Sequence, residues 1–376
     1  MGKFFLRFPT PNPGDRELQT SKSIPRKKTR QIFVGPVPVG GGAPIAVQSM
    51  TKTDTRNVSA TVAQILLLQE AGCEIVRVAI PDREAAQKLG EIKKRIGIPL
   101  VADIHFDHRL ALEAIDQGVD GLRLNPGNIG SRARVARVAK AARERGVPIR
   151  VGVNAGSLEK RLLRKYGFPS PDALVESALH HVRLLEDEGF NLIKISIKAS
   201  DPLSTISCYR KISQLTDYPL HIGVTEAGPP FPGSIKSAIG LGILLYRGIG
   251  DTIRVSLTAD PTLEVKAAYY ILKALGLRRR GVEITSCPTC GRSQTNLAAI
   301  VQEVEERLAG WPEPIHVAIM GCGVNGPGEA READVGIAAG KGTALLFHKG
   351  TIIRKVKEDE MVEALVAEAE AFRKNQ

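Results

Sequence analysis

The sequence predicts an α/β protein, a (β/α)8 TIM barrel followed by a small α+β domain. Short apolar, β-branched runs alternate with helical patterns eight times between Pro44 and Gly276. No G-x-G-x-x-G turn follows the first strand, as a doubly wound sheet would offer. Three of the five cysteines gather beyond the eighth unit, which marks off a second domain.

Residues 1–30 read as a basic flexible tail, Pro-rich and ending in SIPRKKTR. Residues 31–278 read as the barrel. QIFVGPVPVGGG, punctuated by Gly and Pro, is a hairpin leading into the first long strand. The strand–helix units are IAVQSM with SATVAQILLLQEAG, EIVRVAI with REAAQKLGEIKKRI, PLVADI with HRLALEAIDQG, and GLRLN with SRARVARVAKAARERG. PIRVGVN with DALVESALHHVRLLEDEG, NLIKISIK with DPLSTISCYRKISQ, PLHIGVTE with GSIKSAIGLGILLYRG, and DTIRVS with TLEVKAAYYILKALG complete the eight. LRRRGVEIT reads as a linker. Residues 283–376 then form the small domain, with a helix from Gln294 to Leu308, the strand HVAIM, a hairpin TALLFHKGTIIRKV and a closing amphipathic helix, EDEMVEALVAEAEAFRKN.

With 376 residues, 43% hydrophobic and 24% charged, the chain can build one large or two moderate cores. No run approaches the roughly 18 apolar residues of a membrane span, and Pro and Gly interrupt the opening before a signal-peptide apolar region develops. A soluble cytoplasmic protein is therefore expected. The formal net charge of +12 favours an anionic partner: a nucleic acid, a phosphorylated small molecule or an acidic protein.

Barrel strands are buried on both faces, so polar residues on them need a reason. Here they fall on one parity. In Lys194-Ile195-Ser196-Ile197-Lys198 the polar side chains alternate with isoleucines, and the same parity gives Arg123 with Asn125, Arg150 with Asn154, and Arg254 with Ser256. Arg56 follows the first strand, and His221 and Glu226 bracket the end of the seventh. Any one of these can be a salt-bridged interior residue. Together, converging on the carboxyl ends of different strands, they form a cationic cavity suited to a di- or polyphosphorylated small molecule, because arginine's planar fork matches phosphate oxygens. Glu226 is an acid/base candidate there. Asp103 and His105 are further candidates, for which a structural hydrogen-bonding role is the preferred reading.

Ser-Cys287-Pro-Thr-Cys290-Gly is followed by Gly-Cys322-Gly-Val-Asn-Gly-Pro-Gly-Glu329. Such a C-x-x-C turn lets two thiolates reach one centre. A zinc ribbon would supply a second C-x-x-C or histidines, and a thioredoxin-like dithiol would open an early helix. A [4Fe–4S] cluster accepts three cysteines and leaves one iron for a weaker ligand, for which Glu329 is the candidate. A purely structural metal staple stays open on spacing alone.

VQSMTKTDTRN, GLRLNPGNIG, RVGVNAGSLE, IKISIKASD, HIGVTEAG, SCPTCGR and GCGVNGPGEAREADVG stand in one order from about Arg30 to the final helix. In these motifs the chain resembles the 4-hydroxy-3-methylbut-2-enyl diphosphate synthase family (IspG/GcpE) in its two-domain bacterial form. The resemblance implies an iron–sulfur oxidoreductase of the non-mevalonate isoprenoid pathway, reducing 2-C-methyl-D-erythritol 2,4-cyclodiphosphate with ring opening and loss of water. It implies Cys287, Cys290, Cys322 and Glu329 as cluster ligands and Glu226 as the barrel carboxylate. Arg56, Arg123, Arg150, Lys198 and Arg254 would clamp the diphosphate, helped by Asn125, Asn154 and Ser256. Reduced flavodoxin or ferredoxin would deliver electrons singly, and a head-to-tail homodimer would let each cluster domain cap its partner's barrel. The rival reading is a zinc-containing, basic nucleic-acid-binding protein; aromatics at 5% are sparse for stacking on bases, and neither nucleic acid nor membrane is the expected partner.

Overall fold

The computed structural model describes residues 24–290, 295–322 and 333–374. The chain divides into two compact units, Met1–Arg278 and Arg279–Gln376. In the first, β1 (Ile32–Val34) and β2 (Val37–Val39) pair antiparallel across a turn in which Gly35 takes a left-handed φ of 55°. Ile32, Val34 and Val39 bury themselves against Ala46, Ile75 and Val101 near the starts of three barrel strands, so the hairpin plugs the amino-terminal end of the barrel.

Eight parallel strands follow: β3 (Ala46–Met50), β4 (Ile75–Ala79), β5 (Leu100–Asp103), β6 (Gly121–Leu124), β7 (Ile149–Asn154), β8 (Ile193–Lys198), β9 (His221–Ile222) and β10 (Thr252–Ile253). They bond in the order β8-β7-β6-β5-β4-β3-β10-β9, and a bridge between Ile195 and Leu220 joins the two ends, so the barrel is nearly closed. Around it lie α1 (Val58–Glu70), α2 (Arg83–Gln87), α3 (Leu89–Lys93), α4 (His108–Asp116), α5 (Arg132–Glu144), α6 (Lys160–Tyr166), α7 (Pro171–Glu186), α8 (Pro202–Leu215), α9 (Pro230–Tyr246) and α10 (Pro261–Ala274). Local chemistry starts these helices. Side chains of Asn57, Asp82, Asp107, Ser170, Asp201 and Asp260 each accept a first-turn N–H, and Pro171, Pro202, Pro230 and Pro261 take the first helical position.

The structure departs from the sequence reading at several points. The second helix is two short pieces, α2 and α3, and Gly90 lies where a Cβ would meet Gln117 Oε1 at 2.4 Å. β9 and β10 keep only two ladder residues each; a Cβ at Gly223 would strike the Arg254 carbonyl at 2.7 Å, so the two chains approach closely just beyond the ladder. The basic segment is no free tail over its described part. Arg26 pairs with Asp251 at 2.9 Å, Lys27 donates to the Ser213 and Thr216 carbonyls at the end of α8, and Arg30 pairs with Asp217 and lies 4.4 Å over the Tyr218 ring. These cations satisfy helix-end carbonyls and a buried carboxylate.

The second unit contains β11 (Val282–Ser286), α11 (Leu297–Arg307), β12 (Ile315–Met320), β13 (Val335–Ala339), β14 (Thr343–His348), β15 (Thr351–Lys357) and α12 (Met361–Lys374). Its sheet runs β11-β12-β13-β14-β15, parallel through β13 and antiparallel after it. Both helices share one core with Val317, Ile319, Val335, Ile337 and Leu346 of the sheet. The VEITS run, read as linker, is therefore an edge strand, and VGIAA is a strand that the sequence reading passed over. Among the described residues no helix is long and apolar enough to cross a membrane.

Candidate active site

Parallel register sets Asp103, Arg123, Arg150 and Lys194 side by side across β5, β6, β7 and β8, and sets Asn154 beside Lys198 higher up. Arg77 of β4 joins them. It carries no obvious motif, yet it shares the inward parity of the other strand cations, and that parity was the available signal. Arg77, Arg123, Arg150 and Lys194 are all buried, and Asp103 is the buried carboxylate among them.

Arg123 is tied on three sides. It donates to Asp103 Oδ1 at 3.2 Å, to the Gly152 carbonyl at 2.6 Å and toward His105 at 3.0 Å. Glycine is required at 152, because a Cβ there would stand 2.6 Å from Arg123 Nε. Asn125 accepts the Gly152 N–H at 2.8 Å, so its oxygen braces β7. Arg77 reaches Asp103 at 3.5 Å and donates to the Met50 sulfur at 2.9 Å. Arg150 differs from both. None of its three guanidinium nitrogens has a hydrogen-bond partner in the protein, and neither do Arg77 Nη1, Arg254 Nε, Asn154 Oδ1, Ser196 Oγ or His221 Nδ1. Buried polar atoms are nearly always paired, so this many orphans turned toward one interior is a ligand-binding signature.

The charges perturb one another accordingly. Burial alone would push the Asp103 carboxyl up, but Arg77, Arg123, Arg150 and Lys198 hold it well below the usual carboxylate range. Burial, reinforced by neighbouring arginines, lowers Arg150 and Lys198 well below their ordinary values and brings Arg254 to about 10. Lys194 falls to about 7, through burial first and Arg150 second. Its unfolded value is near 10.4. Between the two, the unfolded chain holds a proton that the folded chain has lost, so this group's contribution to stability rises with pH from about 7 to about 10. Lys194→Met is expected to flatten that rise in urea unfolding at about pH 7 and 9; an unchanged slope would show that Lys194 does not cause it.

At the rim the sequence reading holds less evenly. Arg56 lies exposed on the loop after β3, with a fork to Asp54 at 2.7 Å and Asp82 at 3.4 Å, and it is not among the buried cations. Glu226 is exposed in the loop after β9 with a left-handed φ of 52°. For a non-glycine residue that conformation costs about 1 kcal/mol or more, and such strain concentrates at working sites. Ser256 is half-buried, two residues beyond Arg254.

In the second unit Cys287 follows the end of β11 and Cys322 the end of the neighbouring β12. The Gly321 N–H donates to Cys287 Sγ at 3.3 Å, an amide-to-sulfur bond that suits a thiolate ligand. Cys290 is exposed, and Thr289 between the pair takes φ 62°, a strained turn for a β-branched residue. Glu329 lies outside the described residues, and among those described no three His, Cys, Asp or Glu side chains form a metal-holding group. Two thiols at adjacent strand ends, with an amide aimed at one sulfur, fit an iron–sulfur ligand set. Cys73 and Cys208 are buried elsewhere, their thiols pushed up to about 12 by burial, and have no part in it.

Residues 29–269 match the GcpE TIM-barrel domain and residues 283–371 the GcpE protein C-terminal domain. The chain is 63% identical over 345 residues to the 4-hydroxy-3-methylbut-2-en-1-yl diphosphate synthase (flavodoxin) of Geobacter sulfurreducens, covering 92% of this chain and 98% of that protein. To the protein of the same name from Thermodesulfovibrio yellowstonii it is 59% identical over 345 residues, covering 92% and 99%.

Proposed function

The chain belongs to the GcpE family, and from that premise we propose that it is an iron–sulfur oxidoreductase converting 2-C-methyl-D-erythritol 2,4-cyclodiphosphate to 4-hydroxy-3-methylbut-2-enyl diphosphate. The reaction consumes two electrons, opens the ring and releases water. Reduced flavodoxin supplies the electrons singly, in the cytoplasm. The observation that most supports this reading is Arg150, a fully buried guanidinium whose donors find no acceptor in the protein. A cyclic diphosphate offers the acceptors.

Arg123, Arg150, Lys198 and Arg254 would hold the phosphoryl oxygens, with Asn154 and Ser256 adding hydrogen bonds. Arg77 and Asn125 would keep Arg123, Asp103 and β7 in place. Arg56 joins the clamp by exchanging Asp54 for a phosphate. Glu226 is the carboxylate available to move a proton at the departing oxygen. Cys287, Cys290, Cys322 and Glu329 would hold a [4Fe–4S] cluster. When bound, that cluster supplies single electrons and an iron with a replaceable ligand that polarises the departing C–O bond. The functional unit in this reading is a head-to-tail homodimer.

A nucleic-acid-binding role gains nothing here, because the strand cations lie inside the barrel where a phosphodiester backbone cannot reach. The test is anaerobic purification followed by metal analysis and turnover. Iron with inorganic sulfide, and conversion of the cyclic diphosphate with reduced flavodoxin, are expected. Zinc without iron and sulfide would overturn the proposal.

A further inference from the structure

From Arg279 onward acidic residues outnumber basic ones, yet Val335–Lys357 contains Lys341, Lys349, Arg354, Lys355 and Lys357 and no Asp or Glu. This stretch forms β13, β14 and β15, and β15 is the edge of the sheet opposite β11. Thr351–Lys355 are exposed throughout, with Ile352 at 53% and Ile353 at 45%. An apolar centre beside exposed cations on an otherwise acidic unit suits a transient, electrostatically steered contact with an acidic partner.

The edge also pairs with a strand that packs toward Cys287. Ile352 is the cross-strand partner of Phe347, and Lys355 of Leu345. Phe347 belongs to a small apolar cluster with Ala318, Met320, Ala333 and Ala338, against which Leu345 and Cys287 both pack. The buried members of this cluster are separate from the core shared with α11 and α12, and Cys287 packs against both. Four strand spacings of about 4.8 Å separate β15 from β11, roughly 19 Å, and this cluster lies between them.

We propose that the exposed β15 edge, centred on Ile352, Ile353, Arg354 and Lys355, is the docking surface for the acidic one-electron carrier. This rests on the flavodoxin-dependent reading above. Each encounter oxidises the carrier by one electron and reduces the centre beside Cys287 by one, and two encounters supply one turnover.

The experiment uses full-length holoenzyme and purified flavodoxin, with affinity measured by titration and turnover measured separately. Arg354→Glu/Lys355→Glu is expected to weaken flavodoxin binding about tenfold at low ionic strength and to reduce its salt dependence. Turnover driven by dithionite-reduced methyl viologen, which needs no docking surface, stays at the wild-type level. Ile352→Ser should weaken binding while leaving the salt dependence intact. Arg137→Glu/Lys140→Glu, the same charge change on exposed positions of α5, should leave affinity as it was. Cations on an edge strand also block strand addition. If that is their role here, carrier affinity will not change in the edge variant and the proposal fails; equal weakening by the α5 variant defeats it too. A wild type that binds flavodoxin through this edge but never converts the cyclic diphosphate would overturn the functional reading and leave the docking surface standing.

Discussion

Replacing Arg150 with methionine is expected to lower kcat/KM for the cyclic diphosphate about a hundredfold or more while making the unliganded protein more stable. The two effects share one cause. Arg150 sits fully inside the barrel between Arg123 and Lys194, with no protein acceptor for any guanidinium nitrogen. Desolvating that cation costs free energy in the empty enzyme, and in the proposed reading the cost is recovered when phosphoryl oxygens occupy the cavity. An apolar side chain of similar length removes the cost and the recovery together. The stability gain should be on the order of 1–3 kcal/mol, read as a rise in urea midpoint or Tm. Arg150→Lys keeps the charge but loses the fork, and should cost about tenfold in kcat/KM with little gain in stability. A methionine variant that is both less stable and fully active would mean that Arg150 is compensated within the fold and takes no part in binding.

Mixing two inactive variants should restore about a quarter of wild-type activity if the proposed active site is shared between protomers. Glu226→Gln would damage the proposed barrel site and Cys322→Ser the proposed cluster ligand set. In a head-to-tail dimer each mixed pair holds one intact site and one doubly damaged site, and random equal mixing makes half of the dimers mixed. The reach of the connecting chain motivates the test. Only residues 275–281 separate α10 from β11, a segment that extends at most about 25 Å, whereas a barrel is on the order of 30 Å tall and its last helix ends at the amino-terminal side. Both variants must first be shown to fold and to exchange subunits. Absence of any recovered activity would mean that each site is built from a single chain.

The sequence by itself determined the barrel, its unit count and the inward row of cations. Those features are written in short-range periodicity: alternation of two along a strand and about 3.6 along a helix. Arg123 with Asn125, and Lys194 with Ser196 and Lys198, could each be placed on one face from spacing alone, because neighbours two apart on a strand share a face. The expected position at the carboxyl ends does not hold for Arg150 and Lys194, each the second residue of its strand. Tertiary structure decided what each of them meets there. Arg77 joins the group, Asn125 turns its oxygen to the Gly152 N–H, Arg56 is held by Asp54, and Arg150 is left with no protein partner for any guanidinium nitrogen. The basic residues from Arg26 to Arg30 read as a tail because their acceptors, Asp217, Asp251 and the end of α8, lie far away in the chain. Pairing between distant segments leaves no periodic trace, so it becomes visible only once the barrel has brought those segments together.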